Sequence, residues 1–261
     1  MNTATTAADR YPVRSISVDD VYSALSEGWA DFRAAPEFGL FFGGVYAFAG
    51  ILIFLQLWVW DQPLWILPLA LAFPLIGPFA AIGLYEVSRR RERGEPLVWA
   101  EILDVIWRER TRQMPTMAFI VLAGFMIWMW SAAMLIAIVL GRMNFAVYSD
   151  IGALLTTGNG LLLLFLGTIV GGAIALVLFS VTAVSLPMLL DREVDYVTAM
   201  LTSYTAVTRN PVAMLTWGAI VAVGVFVAMV PFFLGLFIAL PVLGHTTWHI
   251  YRKVVPPEGA A

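Results

Sequence analysis

The two histidines of the chain are the side chains best suited to chemistry. His245 and His249 lie four residues apart near the C-terminus, with Trp248 between them. On a helix this spacing places both imidazoles on one face, where they could chelate a metal or supply an axial haem ligand. The alternative is an anchor at the membrane surface, because Trp248 and Tyr251 are typical of that depth. The sequence offers no obvious third or fourth ligand.

A charged triplet, Asp191, Arg192 and Glu193, is a second candidate for chemistry. Ionisable groups at membrane depth often relay protons. This triplet instead falls at the boundary between an apolar and an amphipathic segment, where Asp191 can cap the second helix and pair locally. The pattern therefore favours capping over proton transfer.

Four arginines occupy five positions at Arg89, Arg90, Arg91 and Arg93. A guanidinium grips phosphate or carboxylate in a fork, so these residues are candidates for binding anionic lipid headgroups or an acidic partner. The alternative is that they only fix topology, since basic loops stay in the cytoplasm.

The catalytic motifs common in enzymes are missing. The chain has no cysteine, which excludes disulfides, thiol catalysis and cysteine-ligated metals. The nucleophile elbow, the phosphate-binding loop, the dinucleotide fingerprint and the HExxH zinc motif are also missing from the sequence. We therefore expect a protein that is not an enzyme and carries no cofactor.

The composition is that of a membrane protein. Hydrophobic residues make up 61% and charged residues 13%, against about 45–50% and 25% in soluble domains. The net charge of −3 gives no basic surplus for nucleic acid. The N-terminal segment lacks a cleavable signal pattern, so we expect the first apolar helix to direct insertion.

Apolar stretches predict an all-α bundle of about six transmembrane helices. They cover residues 38–60, 64–85, 117–140, 161–190 and 212–244, and the last is long enough for one long helix or for two short ones that turn at Pro231. Two helices would return Arg252 and Lys253 to the side of the other basic residues, which predicts that both termini are cytoplasmic. Residues 141–160 then form an outer loop.

Three amphipathic segments are predicted to be helices that lie on the cytoplasmic face, with apolar stripes toward lipid or the bundle. They cover residues 17–34, 96–112 and 191–208. In the first, Ser17 is a helix cap, and Glu27 and Asp31 belong to the polar face. In the third, Val197, Leu201 and Tyr204 belong to the apolar stripe.

The amphipathic segments define a repeat of a surface helix followed by a pair of spans. The repeats cover residues 17–95, 96–190 and 191–252 of a single membrane domain, between a disordered tail at 1–16 and a short tail at 253–261. Each surface helix ends at an arginine two or three residues before a proline: Arg33 and Pro36, Arg112 and Pro115, Arg209 and Pro211. The alternative is that arginine near proline is common in any cytoplasmic loop. Small-residue patterns at Gly39-x-x-x-Gly43 and Gly167-x-x-x-Gly171 mark close helix packing.

Several motifs together resemble one bacterial family. The residues that carry the resemblance include Gly77, Pro78, Tyr85, Glu86, Pro187, Asp191, Arg192, Pro211, Pro241 and Gly244. The chain from about residue 18 to 252 resembles the predicted integral membrane proteins of unknown function, some of which are labelled putative cytochrome c oxidase subunits. The resemblance implies a multi-pass protein of the bacterial inner membrane and no established activity. A haem–copper core needs about six histidines, so only an accessory role beside an oxidase fits this chain.

Three functions follow from these patterns. The first is a non-enzymatic accessory or scaffold protein that meets membrane lipids or a larger inner-membrane complex. The second is a small transporter or lipid-handling protein. The third is an accessory subunit of a respiratory oxidase in which His245 and His249 bind haem or metal.

Overall fold

A computed structural model describes residues 11–58, 66–141 and 151–257 of the chain. The described residues form helices joined by short connections. In chain order the helices are α1 (Val18–Ala34), α2 (Pro36–Trp58), α3 (Ile66–Arg93), α4 (Trp99–Glu109), α5 (Met114–Leu140), α6 (Ile151–Thr156), α7 (Gly158–Thr182), α8 (Ser185–Asp191), α9 (Tyr196–Arg209), α10 (Pro211–Met229) and α11 (Leu236–Val254).

The first amphipathic helix begins where the sequence places its cap. The Ser17 hydroxyl accepts a hydrogen bond from the Asp20 amide at 3.2 Å, and the Asp20 carboxylate accepts one from the Ser17 amide at 2.8 Å. This reciprocal box satisfies two amides that a helix start leaves unpaired. The chain is ordered before it, because the Arg14 amide donates to the Val254 carbonyl at 2.8 Å.

The other two amphipathic segments are helices α4 and α9, both shorter than predicted. Helix α9 is capped by Asp195, whose carboxylate accepts the Thr198 amide at 2.9 Å. The expectation that Asp191 is this cap is wrong, because Asp191 is the last residue of α8. Residues 192–195 separate the two helices, so the negative charge nearest the start of α9 comes from Asp195.

Four helices among the described residues are long and apolar enough to cross a membrane. They are Pro36–Gln56, Met114–Leu140, Gly158–Asp191, in which α7 and α8 are taken together, and Pro211–Met229. The second and sixth predicted spans fall on α3 and α11, which do not belong to this set. Both helices carry charged residues in their last turns, and α3 contains Pro74 and Pro78.

The apolar segment 212–244 is two helices. Helix α10 ends at Met229 and α11 begins at Leu236, so the turn lies at Pro231 as predicted. Phe232 and Phe233 take positive φ angles of 50° and 65° in this turn. A Cβ on Gly235 would lie 2.6 Å from the Ala228 carbonyl oxygen, so the hairpin closes only because this residue is glycine.

The predicted outer loop and fourth span differ in detail from the structure. Residues 142–150 of the loop lie outside the described residues, but Ile151–Thr156 is a short helix. The fourth span begins at Gly158 and not at residue 161. Residues 183 and 184 interrupt the helix before α8, so the predicted tilted helix of about 30 residues is divided near its end.

The chain forms two compact units. Unit 1 comprises residues up to Phe119 and from Ser180 onward, and unit 2 comprises Ile120–Phe179. In unit 1 the helices α2, α3 and α11 approach closely at glycines. A Cβ on Gly43 would lie 2.7 Å from a Pro241 ring carbon, and one on Gly244 would lie 2.6 Å from a Leu84 methyl carbon. The first small-residue pattern therefore packs within the chain, as expected.

Candidate functional site

Asp31 is the centre of a buried polar cluster at one end of the unit 1 helices. Its Oδ2 accepts a hydrogen bond from the Ser88 hydroxyl at 2.7 Å and lies 2.8 Å from His249 Nε2. Its Oδ1 accepts a hydrogen bond from Arg91 Nε at 2.7 Å. Burial opposes ionisation, but these three donors outweigh it and lower the pKa of Asp31 to about 2. Asp31 is therefore a charged group that joins α1 to α3 and α11.

The sequence placed Asp31 on the solvent face of α1, and the structure corrects this. Asp31 is only 6% exposed because Gly28, one turn earlier, lets α1 approach α11 closely. A Cβ at Gly28 would lie 2.6 Å from the Thr246 amide nitrogen. The sequence feature that indicates this packing is a glycine followed one turn later by an acid on the same helix face. Amphipathic periodicity alone does not identify it, because it counts every acid as solvent-facing.

The two histidines contact protein side chains. His245 Nδ1 lies 2.8 Å from the Ser88 hydroxyl, and His249 bridges two carboxylates of α1, with Nδ1 3.1 Å from Glu27 and Nε2 2.8 Å from Asp31. They share one helix face, as the spacing predicts. Within the described ranges, no group of three or more histidine, aspartate or glutamate side chains could hold a metal ion. The geometry favours a structural role for the pair.

Burial changes the protonation of His245. The side chain is fully buried, and this desolvation lowers its pKa to about 4 despite the nearby Asp31 charge. His245 is therefore neutral near pH 7. Because the Ser88 hydroxyl donates its one proton to Asp31, the neutral imidazole of His245 donates from Nδ1 to the Ser88 oxygen.

All four arginines of the cluster at 89–93 have acidic partners. Arg89 and Arg90 both pair with buried Glu86, at 2.5 and 2.7 Å. The remaining pairs connect different helices: Arg90 with Glu101 of α4, Arg91 with Asp31 of α1 and Arg93 with Asp191 of α8. These arginines therefore join the three helices α1, α4 and α8 to α3, and the sequence did not predict these pairs.

Asp191 and Arg192 belong to a second polar group beside the first. The Tyr251 hydroxyl donates to Asp191 Oδ2 at 2.7 Å and accepts from Arg192 Nε at 3.1 Å. Arg192 is buried, donates to the Pro256 carbonyl and lies over the Tyr11 ring. The local Asp191–Arg192 pair is long, at 4.0 Å. The pair therefore attaches the C-terminal end of the chain to α8 and does not form a proton path through a span.

The other motif residues are packing positions of unit 1. A Cβ on Gly77 would lie 2.7 Å from the Tyr46 hydroxyl, Tyr85 and Pro187 are buried, and Pro211 occupies the first turn of α10. A proline suits that position because the first helical amides have no partner in the helix. Pro78 lies inside α3.

A charged cleft opens beside Asp31. It has a volume of about 370 Å³, and the residues that line it are Glu27, Asp31, Arg91, Glu92, His249, Arg252 and Lys253. Arg252 donates twice to Glu92 Oε1, at 2.9 and 2.7 Å, and Lys253 pairs with Glu27 at 2.9 Å. Charges of both signs are balanced in the cleft, so it suits polar contacts with a partner better than binding of a free ion.

Residues 66–191 match the model of a family described as a predicted integral membrane protein family, DUF2189. The match covers α3 to α8 and includes Glu86, the arginine cluster and Asp191. No curated protein and no solved structure matches the chain.

Proposed function

We propose that this chain, a member through residues 66–191 of the DUF2189 family of integral membrane proteins of unknown function, is a non-enzymatic accessory or scaffold protein of the bacterial inner membrane. One observation carries the proposal. The ion pairs of Asp31 with Arg91 and of Arg90 with Glu101 connect the amphipathic helices α1 and α4 to α3, and buried Glu86 holds Arg90 from within α3. Such pairs favour one geometry, which suits a surface that other molecules recognise.

The proposed topology has six spans and cytoplasmic termini. The apolar parts of α3, up to Tyr85, and of α11, up to Gly244, are the two crossings beyond the four long apolar helices. Their polar ends meet in the cluster around Asp31, where the basic residues concentrate, and such concentration is typical of the cytoplasmic side. A reporter fused after Arg252 should be active in the cytoplasm only, and activity only outside the membrane would refute the topology.

The outward faces of the surface helices support contact with lipid and protein. On α9 the predicted stripe of Val197, Leu201 and Tyr204 is exposed, whereas the opposite face, with Ala199 and Ser203, is buried against the rest of unit 1. Exposed apolar residues in a row are typical of interaction surfaces. Spin labels at Val197 and Leu201 should be less accessible to water-soluble relaxation agents than a label at Asp195.

A pull-down from mild detergent tests the scaffold function. We expect a membrane complex to co-purify with the wild type in fixed proportion and to be lost when Val197, Leu201 and Tyr204 are all replaced by glutamine. The matched control is Thr208→Gln, an exposed polar position on the same helix. Membrane insertion, measured by resistance to alkaline extraction, should be unchanged in both variants. Purification of the wild type without any stoichiometric partner would refute the proposal.

A further inference from the structure

The arginines that lie outside the ion-pair network end the three surface helices. Arg33, Arg110 and Arg209 are exposed. Within the part of the chain that the structure describes, none of them forms an ion pair with an acidic side chain. Exposed Arg108 lies two residues from Arg110 but is paired with Asp104 at 3.1 Å. The three arginines therefore have no acidic partner among the described residues, unlike those of the cluster at 89–93.

Each of these arginines stands directly before a long apolar helix. Arg33 precedes Pro36 of α2, Arg110 precedes Met114 of α5, and Arg209 precedes Pro211 of α10. All three helices belong to the set that is long enough to span a membrane. A guanidinium at the point where a helix enters the membrane lies near the phosphates of the lipid headgroups. The positive N-terminal end of the following helix adds to its attraction for these phosphates.

Exposed aromatic rings accompany the arginines. Trp29 lies one turn before Arg33, Trp107 lies one turn before Arg110, and Tyr204 lies in the turns before Arg209. The Arg110 guanidinium lies 3.4 Å from the centre of the Trp107 ring. Tryptophan and tyrosine concentrate at the level of lipid headgroups, so the rings place the same three sites at that level.

The backbone at two of these sites, those of Arg33 and Arg209, is fixed by hydrogen bonds. The Ala35 amide donates to the Asp31 carbonyl at 3.1 Å, and Asn210 accepts the Ile16 amide at 2.8 Å and donates to the Arg14 carbonyl at 3.1 Å. Arg33 and Arg209 therefore project from ordered junctions, which lowers the entropy lost when they bind.

We propose that Arg33, Arg110 and Arg209 bind the phosphates of anionic phospholipid headgroups where α2, α5 and α10 enter the membrane. The inference rests on the proposed orientation of the surface helices and names the lipid class that they contact. An acidic protein segment is a poorer fit, because the three sites lie on separate helices, each beside an exposed aromatic ring and the start of an apolar helix. Phosphodiester groups are available at every such position in a membrane.

Spin-labelled lipids test this assignment. The full chain is placed in phosphatidylcholine vesicles, and its association with spin-labelled phosphatidylglycerol is compared with that of spin-labelled phosphatidylcholine by electron spin resonance. We expect the selectivity for phosphatidylglycerol to fall about fivefold per site on glutamine replacement, so that the variant R33Q/R110Q/R209Q has almost none. Because the three side chains are exposed, the helical circular dichroism spectrum should not change.

The single variants Arg110→Gln and Arg108→Gln form a matched pair. Both remove one positive charge from an exposed position near the end of α4, but Arg108 is already paired. We expect a loss of selectivity in R110Q and none in R108Q. An equal loss in both, or an unchanged triple variant, would overturn the proposal.

The same triple variant separates this inference from the scaffold function. If it loses the co-purifying complex but keeps its selectivity for phosphatidylglycerol, the arginines bind protein and the lipid proposal is wrong. If the variant loses its selectivity for phosphatidylglycerol and keeps the co-purifying complex, the lipid proposal is supported, and the scaffold function does not depend on these arginines.

Discussion

The two units both contain glycines at helical spacing but differ in what these glycines contact. In unit 1 glycines such as Gly28 and Gly43 lie against backbone or ring atoms of a neighbouring helix, and a buried polar cluster closes one end. In unit 2 a Cβ at Gly167 would meet nothing within 4 Å, whereas one at Gly171, the second glycine of the pattern, would lie 3.3 Å from Trp128 Nε1. A Cβ at Gly124 would lie 2.5 Å from a Leu178 methyl carbon, so both of these contacts are with side chains.

The difference teaches that a small-residue pattern shows where helices can approach but not whether they do. Close packing in unit 1 coincides with polar groups, such as Asp31 and Ser88, that only one arrangement satisfies. In unit 2 the exposed side chains include Trp130, Ile138 and Phe165, which are apolar and suit a lipid environment. Unit 1 should therefore lose stability on changes that unit 2 tolerates.

The largest expected effect comes from Asp31→Asn. Asp31 is buried and its charge is paired with Arg91, Ser88 and His249. Hydrogen bonds to a charged group contribute about 1.5–3 kcal/mol each, so we expect the variant to lose about 3–5 kcal/mol. Asp104→Asn breaks an exposed pair on α4 and should cost at most about 1 kcal/mol. Unfolding of the purified protein by a denaturing detergent, followed by tryptophan fluorescence, measures both. Equal midpoints for the two variants would contradict the assignment of Asp31 as the centre of the cluster.

The second expected effect is a loss of stability in mild acid. The pKa of His245 is about 4 in the folded protein because it is buried, against about 6.5 when exposed. As the pH falls, the unfolded chain therefore binds a proton at His245 before the folded protein does. The free energy of unfolding is unaffected by this group above about pH 6.5 and falls by about 3 kcal/mol as the pH approaches 4. Asp31 adds to the loss only near the lower end of this range, because its pKa of about 2 in the folded protein lies below the unfolded value of 3.8 and the unfolded carboxyl begins to bind protons below about pH 5.

The variant His245→Gln isolates the origin of this acid sensitivity. It removes the titrating group and keeps a polar side chain that can contact Ser88. Thermal unfolding measured at several pH values should show a smaller slope between about pH 6.5 and pH 4 than the wild type. A slope equal to that of the wild type would assign the effect to the carboxylates of the cluster, Glu27 and Asp31, whose pKa values are lowered in the folded protein.

A third, intermediate effect tests the glycine contacts directly. Gly28→Ala places a methyl group 2.6 Å from the Thr246 amide, and overpacking of this kind costs about 1–3 kcal/mol. Gly167→Ala fills open space on a helix and should be neutral or stabilise by up to about 1 kcal/mol. The melting temperature in detergent compares the two. If Gly167→Ala destabilised as much as Gly28→Ala, the contrast between the units would be lost.

The smallest expected effect comes from the double variant Arg90→Lys with Arg91→Lys. Lysine keeps the charge but cannot contact Glu86, Glu101 and the Pro96 carbonyl together as Arg90 does. We expect a loss of about 1 kcal/mol in stability, with unchanged insertion and unchanged association with anionic lipid. A selective loss of lipid association would instead restore the cluster at 89–93 as a lipid-binding site.

The helical elements could be predicted from the sequence to within a few residues. Alternating apolar and polar positions at helical spacing located α1, α4 and α9, and Ser17 located the start of α1 to the residue. Pro231 correctly marked the turn between α10 and α11. Local errors, such as the cap of α9 at Asp195 and the break before α8, arose because several acids near one helix start compete as caps.

The candidate site was predicted only in its parts. His245, His249 and the cluster at 89–93 were identified as unusual and were expected on the same side of the membrane. Asp31 and Ser88 connect these residues but were not identified as part of the site. Asp31 is an acid on an amphipathic helix, and Ser88 carries a common hydroxyl, so neither residue type is unusual at its position. Pairing between helices far apart in sequence leaves no local pattern.

The sequence by itself determined that this is an integral membrane protein made of apolar and amphipathic helices, because burial in lipid demands long apolar segments and satisfied backbone groups. Only the tertiary structure decided how the charges are used. Arg89, Arg90, Arg91 and Arg93 lie beside acids of α1, α3, α4 and α8, whereas the more isolated Arg33 and Arg209 remain exposed. The reason is physical: the fate of a charge depends on the groups within a few ångströms of it, and those groups are set by packing and not by order along the chain.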